Sequence, residues 1–217
     1  MSTLLIPIAF LFLHQQEAGK PVSKDEPNLP RVLIIGDSIS MGYTPFVMES
    51  LKGKANVHRI PGNGSSTSFG LANLDKWIGS SPWQVIHFNF GLHDAKLPPE
   101  GNRHAPPDVY EKNLLTIVEK LKKTNATLIF ATTTPVPNGG NLAPNRKFGD
   151  VNTYNTIAVQ VMKKHGVQIN DLNKAITPSI EKSQIPKDVH FTKEGSKLLA
   201  ETVAKAIEQS LPKPSKY

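Results

Sequence analysis

The chain has 217 residues, 38% of them hydrophobic, enough for one globular domain with a buried core. Its formal net charge is +7. The charge comes mainly from lysines such as Lys120, Lys122, Lys123, Lys163 and Lys164, spread over expected helix faces. With no Arg-rich run and few aromatic residues, this reads as a solvated basic surface and not as a nucleic-acid footprint. Cysteine is absent, which excludes disulfides, a thiolate nucleophile and cysteine metal sites.

At the N-terminus, Leu4 to Leu13 form the uncharged apolar run LLIPIAFLFL. It is too short to span a bilayer but has the length of a signal-peptide h-region, and the small residues Ala18 and Gly19 come after it. The preceding MST carries no Lys or Arg; the competing reading is a buried first strand or helix. The expectation is a signal peptide over residues 1–19, with a secreted or periplasmic product that has no stable membrane insertion after removal. Residues 20–30 then form a polar lead-in, residues 31–211 a single domain, and residues 212–217 a short tail beginning at Pro212.

Within that domain, apolar runs alternate with helix-period segments. Strands are expected at Arg31–Ile35, Asn56–Ile60, Trp83–Phe90, Thr127–Thr132 and Val167–Asn170. Several are short and nearly continuous in apolar character, as strands covered on both faces are. A helix opens after Asp37-Ser38. Another is expected after Asp108, read as an N-cap with Glu111 completing a capping box, with Tyr110, Leu114, Ile117, Val118 and Leu121 on one face. Asp150 precedes a third, with Val151, Tyr154, Ile157 and Val161. The last starts at about Lys193 behind Thr192 and carries Leu199, Val203, Ile207 and Leu211. Such alternation implies an α/β fold with a mainly parallel five-stranded sheet covered on both faces. Ligands then bind at the edge formed by the C-terminal strand ends.

The segments at those strand ends are therefore the informative ones. Gly36-Asp37-Ser38 comes after the first strand, and PGNGSST (Pro61 to Thr67) after the second. Gly91-Leu92-His93-Asp94 comes after the third, and the polar PVPNGGNLAPNRKFG after the fourth. KDVHFTKEG, Lys187 to Gly195, lies between the fifth strand and the last helix. This order of blocks resembles the SGNH/GDSL hydrolase superfamily of serine esterases over most of residues 31–210. The resemblance implies a flavodoxin-like three-layer α/β/α sandwich, Ser38 as nucleophile and His190 as general base. The chemistry agrees: a serine hydroxyl needs a base during attack, and an imidazole supplies one near neutral pH. The competing readings are a helix N-cap for Ser38 and a packed loop residue for His190.

The oxyanion hole implied by the resemblance comprises Ser38, a second-block glycine and a third-block side chain. Gly64 is the candidate, beside the turn-forming Asn63; Gly62 and the N–H of Ser65 are rivals. The third block departs from the family's Gly-x-Asn-Asp, so His93 is expected to donate in place of the amide. Asn89, on the same strand face, is a second possible donor. Asp94 is expected to orient His93 or to hold the loop, and Asp37 to support the nucleophile turn. The fifth block departs as well. The acid three residues before the histidine is replaced by Lys187, and Asp188 lies only two before His190. In an extended loop that displacement turns Asp188 to the other side of the chain. The expectation is thus an irregular, weakened triad acid, with a Ser–His dyad as the alternative.

No metal or cofactor is expected: His87, His93 and Asp94 lack metal-ligand spacing, and the Gly-rich segments lack a phosphate-loop Lys. The loops at 96–107 and 135–149 are polar, with Arg103, His104, Asn138, Arg146 and Lys147. The resemblance implies a serine esterase, expected to be a monomer, and the polar loops favour short, acetyl-like acyl groups of a small ester or an acylated carbohydrate as its substrate. The alternatives are a thioesterase or lysophospholipase of the same fold, and a non-catalytic carbohydrate-binding protein.

Overall fold

The computed structural model describes residues 25–80, 82–97, 105–142 and 146–213; the expected signal peptide and the loop residues Arg103 and His104 lie outside them. The sheet is built around β1 (Arg31–Ile35), which pairs in parallel with β2 (Asn56–Arg59) and β3 (Val85–Phe88). Beyond β3 lie β5 (Thr127–Ala131) and β8 (Gln168–Asn170), so the order is β2-β1-β3-β5-β8, with every pairing parallel. All five expected strands are present. β3 is shorter than its apolar run, because Trp83 and Phe90 flank it as buried loop residues.

Side chains alternate across a strand, so each strand feeds two cores. Leu33, Ile35, Ile86, Phe88, Leu128 and Phe130 pack under α2 (Thr67–Ile78), α3 (Pro107–Lys122) and α4 (Val151–Lys164). Val32, Ile34, Val85, Ile129 and Ala131 pack under α1 (Ser38–Ser50), α5 (Leu172–Ile176) and α7 (Lys193–Ser210). This is the three-layer α/β/α sandwich. The short helix α6 (Ile180–Ser183) leads into the loop before α7.

Three local expectations are corrected. Helix α3 begins two residues earlier than the capping box implied. Pro106 is its N-cap, and Pro107, whose fixed φ suits the first helical position, starts it; Asp108 lies in the first turn. Helix α2 was not among the expected elements. The polar loops are not featureless either. They contain β4 (Lys96–Leu97), β6 (Asn141–Leu142) and β7 (Arg146–Phe148), which form a small antiparallel sheet of order β4-β7-β6. The end of the lead-in is tied down where Asp25 pairs with Arg31, Oδ2 to Nε at 2.7 Å.

Candidate active site

The turn after β1 separates two tasks that a single serine could not perform together. Asp37 is the N-cap of α1, accepting the Ile39 N–H on Oδ1 at 2.9 Å. Ser40 closes the turn from the other side, donating its hydroxyl to Asp37 O at 2.7 Å. With the cap supplied by Asp37, Ser38 occupies the first helical position and its hydroxyl is available. Gly36 permits the tight approach, since a Cβ there would stand 2.9 Å from Ser40 Cβ. Burial pushes the Asp37 carboxyl up, against the opposing pull of His93 and His190 and of the N–H groups of Ile39 and Ser40.

Ser38 Oγ lies 2.9 Å from His190 Nε2. His190 sits on the loop before α7, whose N-cap Thr192 accepts the Gly195 N–H. Asp188 then meets His190 Nδ1 with Oδ1 at 2.7 Å. The extended loop assumed from sequence is in fact a tight turn. The Asp188 N–H donates to Ile185 O at 3.0 Å, and the Ile185 N–H donates to His190 O at 2.9 Å. Pro186 is well suited to the second turn position. Lys187 takes a left-handed φ of 56°, which reverses the chain and returns Asp188 to the histidine's side. The same Oδ1 accepts the His190 N–H at 3.2 Å, while Oδ2 faces Arg146 Nη2 at 3.1 Å. Partial burial raises the Asp188 pKa, but the hydrogen bonds from the His190 N–H, the His190 ring and Arg146 outweigh it and hold the carboxyl below its usual range.

The second-block loop touches this turn directly. Gly64 is required by close approach, because a Cβ would lie 2.7 Å from Gly36 O. Its N–H donates to that same carbonyl at 2.9 Å, which corrects the expectation that this N–H is directed at an oxyanion. The rival Ser65 N–H is engaged by Asn63 Oδ1 at 2.8 Å. Ser38 N–H, in the first turn of α1, has no protein acceptor among the described residues.

In the third block, Asn89 Nδ2 donates to Ala131 O at 2.7 Å. His93 is half-buried on the turn after β3, close enough to Asp37 for its charge to act on that carboxyl. Asp94 is fully buried at the start of α2. It accepts the Thr67 N–H at 3.0 Å and the Thr67 hydroxyl at 2.5 Å, so it holds the loop. A carboxylate there also complements the helix dipole.

Sequence reasoning missed two residues. Arg59, the last of β2, is a hub: it donates to Ile60 O and Gly62 O on the second-block side, at 2.8 and 2.7 Å. On the nucleophile side it donates to Gly36 O, Asp37 O and Ser40 Oγ, at 3.1 to 3.2 Å. An arginine at a strand's C-terminal end was the available signal. Arg146 was noted only as part of a polar loop; nothing local ties it to Asp188. Beneath the turn is a cavity of about 10 Å³, lined by Asp37, Ser40, Tyr43, Asn89 and Thr132. That is room for about one water. Tyr43 Oη, buried there, has no partner among the described residues.

Chemically, the chain Asp188–His190–Ser38 can take the serine proton during attack on a carbonyl and return it to a leaving group. Among the described residues no cluster of His, Asp and Glu could hold a metal ion.

Comparison with known proteins agrees with this geometry. The model of the GDSL-like lipase/acylhydrolase family matches residues 34–198. A GDSL esterase/lipase of Arabidopsis thaliana is 24% identical over 213 residues, covering 85% of this chain and 88% of its own. A lipase/acylhydrolase from Enterococcus faecalis superposes with a TM-score of 0.73 at 22% identity, covering 87% of this chain and 100% of its own. An acetylxylan esterase from Geobacillus stearothermophilus gives 0.67 at 18% identity, over 82% and 94%. From the match across three quarters of its length, and from the serine turn and histidine loop that the match spans, this chain belongs to the GDSL-like lipase/acylhydrolase family and is a serine hydrolase acting on ester bonds.

Proposed function

We propose that the protein removes short, acetyl-like acyl groups from a polar carrier, in particular a carbohydrate, through an acyl-enzyme on Ser38. His190 takes the Ser38 proton and passes it to the leaving alcohol, then activates the water that releases the acyl group. Asp188 holds the imidazole tautomer and stabilises the imidazolium. The Ser38 N–H and the His93 ring donate to the developing oxyanion, and the second-block backbone at Gly62 closes the hole. One observation carries the catalytic reading over the binding-only alternative: the unbroken hydrogen-bond chain from Asp188 through His190 to Ser38. A protein retaining only the fold has no need of it.

The polar character of the loops supports the substrate class, with Arg146 beside the site and, among the described residues, no long apolar helix over it. The acetylxylan esterases among the structural neighbours point the same way. We further propose that residues 1–19 are an export signal, that the product is secreted or periplasmic, and that it acts as a monomer. No described helix is long and apolar enough to cross a membrane.

The decisive experiment is hydrolysis of a chromogenic acetate ester by the purified wild type and Ser38→Ala proteins. Turnover by the wild type and none above background by Ser38→Ala is expected. Equal rates would overturn the mechanism. A preference for acyl chains of about ten carbons or more would replace the acetyl reading by a lysophospholipase or lipid thioesterase. Intact-mass measurement of the exported chain tests the leader, since retention of residues 1–13 contradicts it.

A further inference from the structure

The displaced acid poses a problem that the local turn solves only in part. From two residues before the histidine, Asp188 Oδ1 serves two donors of one residue, the His190 N–H at 3.2 Å and Nδ1 at 2.7 Å. Both bonds use the same oxygen, so they leave the carboxylate able to swing about its Cβ–Cγ bond. Its side chain is 31% exposed, and water can compete for it. The second oxygen must be held from outside the loop.

Arg146 stands there, with Nη2 at 3.1 Å from Oδ2. It is presented by a supported element. β7 pairs on one side with β4 and on the other with β6, where Leu142 lies opposite Arg146. Leu142 and Phe148 anchor the hairpin in the core beneath α1 and α7. Gly149 N–H then ties its end to Ala95 O at 2.8 Å, next to the turn that carries His93 and Asp94. A planar guanidinium delivered from this frame fixes both position and orientation of a carboxylate, which a flexible lysine ammonium does not.

We propose that Arg146 is a positioning residue for the reaction: by clamping Asp188 Oδ2 it keeps Oδ1 on the His190 ring. Arg146 thereby compensates for the two-residue spacing of the acid. This rests on the reading of Ser38, His190 and Asp188 as the reacting chain. It also gives a role to the small β4-β7-β6 sheet, whose middle strand carries Arg146.

The test is a double-mutant cycle in the full-length protein, with kcat and KM measured on a short-chain acetate ester. Arg146→Gln is expected to lower kcat roughly ten- to a hundredfold with KM within about twofold, a size within that of coupling in one hydrogen-bonded network. In an Asp188→Asn background the same substitution is expected to change kcat less than about twofold, because there is no carboxylate left to hold. Arg146→Lys, which keeps the fold and the charge, is expected to recover only part of the rate. A loss that appears in KM, a loss undiminished in the Asp188→Asn background, or an Arg146→Gln kcat equal to wild type overturns the proposal. Failure of the underlying mechanism is seen separately, as full activity in Ser38→Ala or in Asp188→Asn.

Discussion

Asp188 and Arg59 show how the work of single side chains is set by what holds them. With Oδ1 at 2.7 Å from Nδ1, Asp188 has the geometry of an ordinary triad acid. The smaller penalty expected from its irregular spacing is therefore replaced by a full one: Asp188→Asn should lose on the order of 10⁴ in kcat. Its depressed pKa also has a sign. The unfolded carboxyl protonates first on acidification, so the stability it contributes is present above the ordinary Asp value of 3.8 and is lost as pH falls through the lower folded value. Arg59 acts one layer further away, pinning the carbonyls of Gly36 and Asp37 to the second-block loop. Arg59→Met should lower kcat about a hundredfold by loosening the serine turn, the scale of a misplacement near 1 Å. Arg59→Lys should recover little, because one ammonium cannot reach both loops. Steady-state kinetics on an acetate ester reads each of these. Ser38 and His190 were legible as site residues because the blocks that carry them follow a strand end and precede a helix in an order that resembles a known family. Arg59 and Arg146 were not, because their partners lie 23 and 42 positions away in the chain, at Gly36 and Asp188.

Elements contribute by fixing the loops at their ends. Helix α2 is locked where Asp94 accepts from Thr67, whose hydroxyl also receives Asn113 Nδ2 at 3.0 Å. Asp94→Ala strands these buried donors, and a loss of about 1–3 kcal/mol in unfolding free energy is expected, measured as a lower denaturant midpoint. The second-block loop and the serine turn meet backbone to backbone at Gly64. Gly64→Ala puts a Cβ against Gly36 O, a backbone atom that cannot swing aside. The expected result is a lower kcat, with near-normal unfolding if the two loops separate without disturbing the sheet. Helix α2 escaped sequence reading although it did carry a local signal, the N-cap Ser66 and the helical spacing of Leu71, Leu74 and Ile78; only its second N-terminal acceptor, Asp94, comes from another loop. The small sheet escaped because two- and three-residue strands carry no periodic signal.

For the molecule as a whole, the sheet's centre carries a polar group the mechanism does not use. His87 is fully buried on β3, and burial alone pushes its imidazole down to about 3. Asn170 Nδ2 lies 3.2 Å from Nε2, and Nδ1 has no partner among the described residues. The folded protein therefore keeps His87 neutral while the unfolded chain protonates it near 6.5. Between these values the unfolded state binds the extra proton, so stability falls as pH falls, by about 1.4 kcal/mol per unit at most. Denaturant unfolding at pH 4 to 7 should show a steeper acid loss for the wild type than for His87→Leu. Equal slopes would mean that His87 takes up its proton in the fold as it does in the unfolded chain.

Sequence alone determined the layer architecture, because alternating apolar runs and amphipathic helices can bury their faces in few ways, and each is a local pattern. It also determined which loops share the sheet edge, and the order of their blocks, by its resemblance to a known family, singled out Ser38 and His190. Tertiary structure decided the rest. Whether Asp188 reaches His190 depended on a left-handed residue at Lys187 and on an arginine from a separate hairpin. Whether Gly64 offers a donor depended on the Gly36 carbonyl, which takes its hydrogen first. Such outcomes are settled by competition among groups distant in sequence for the same few ångströms of space, and no local pattern records that competition.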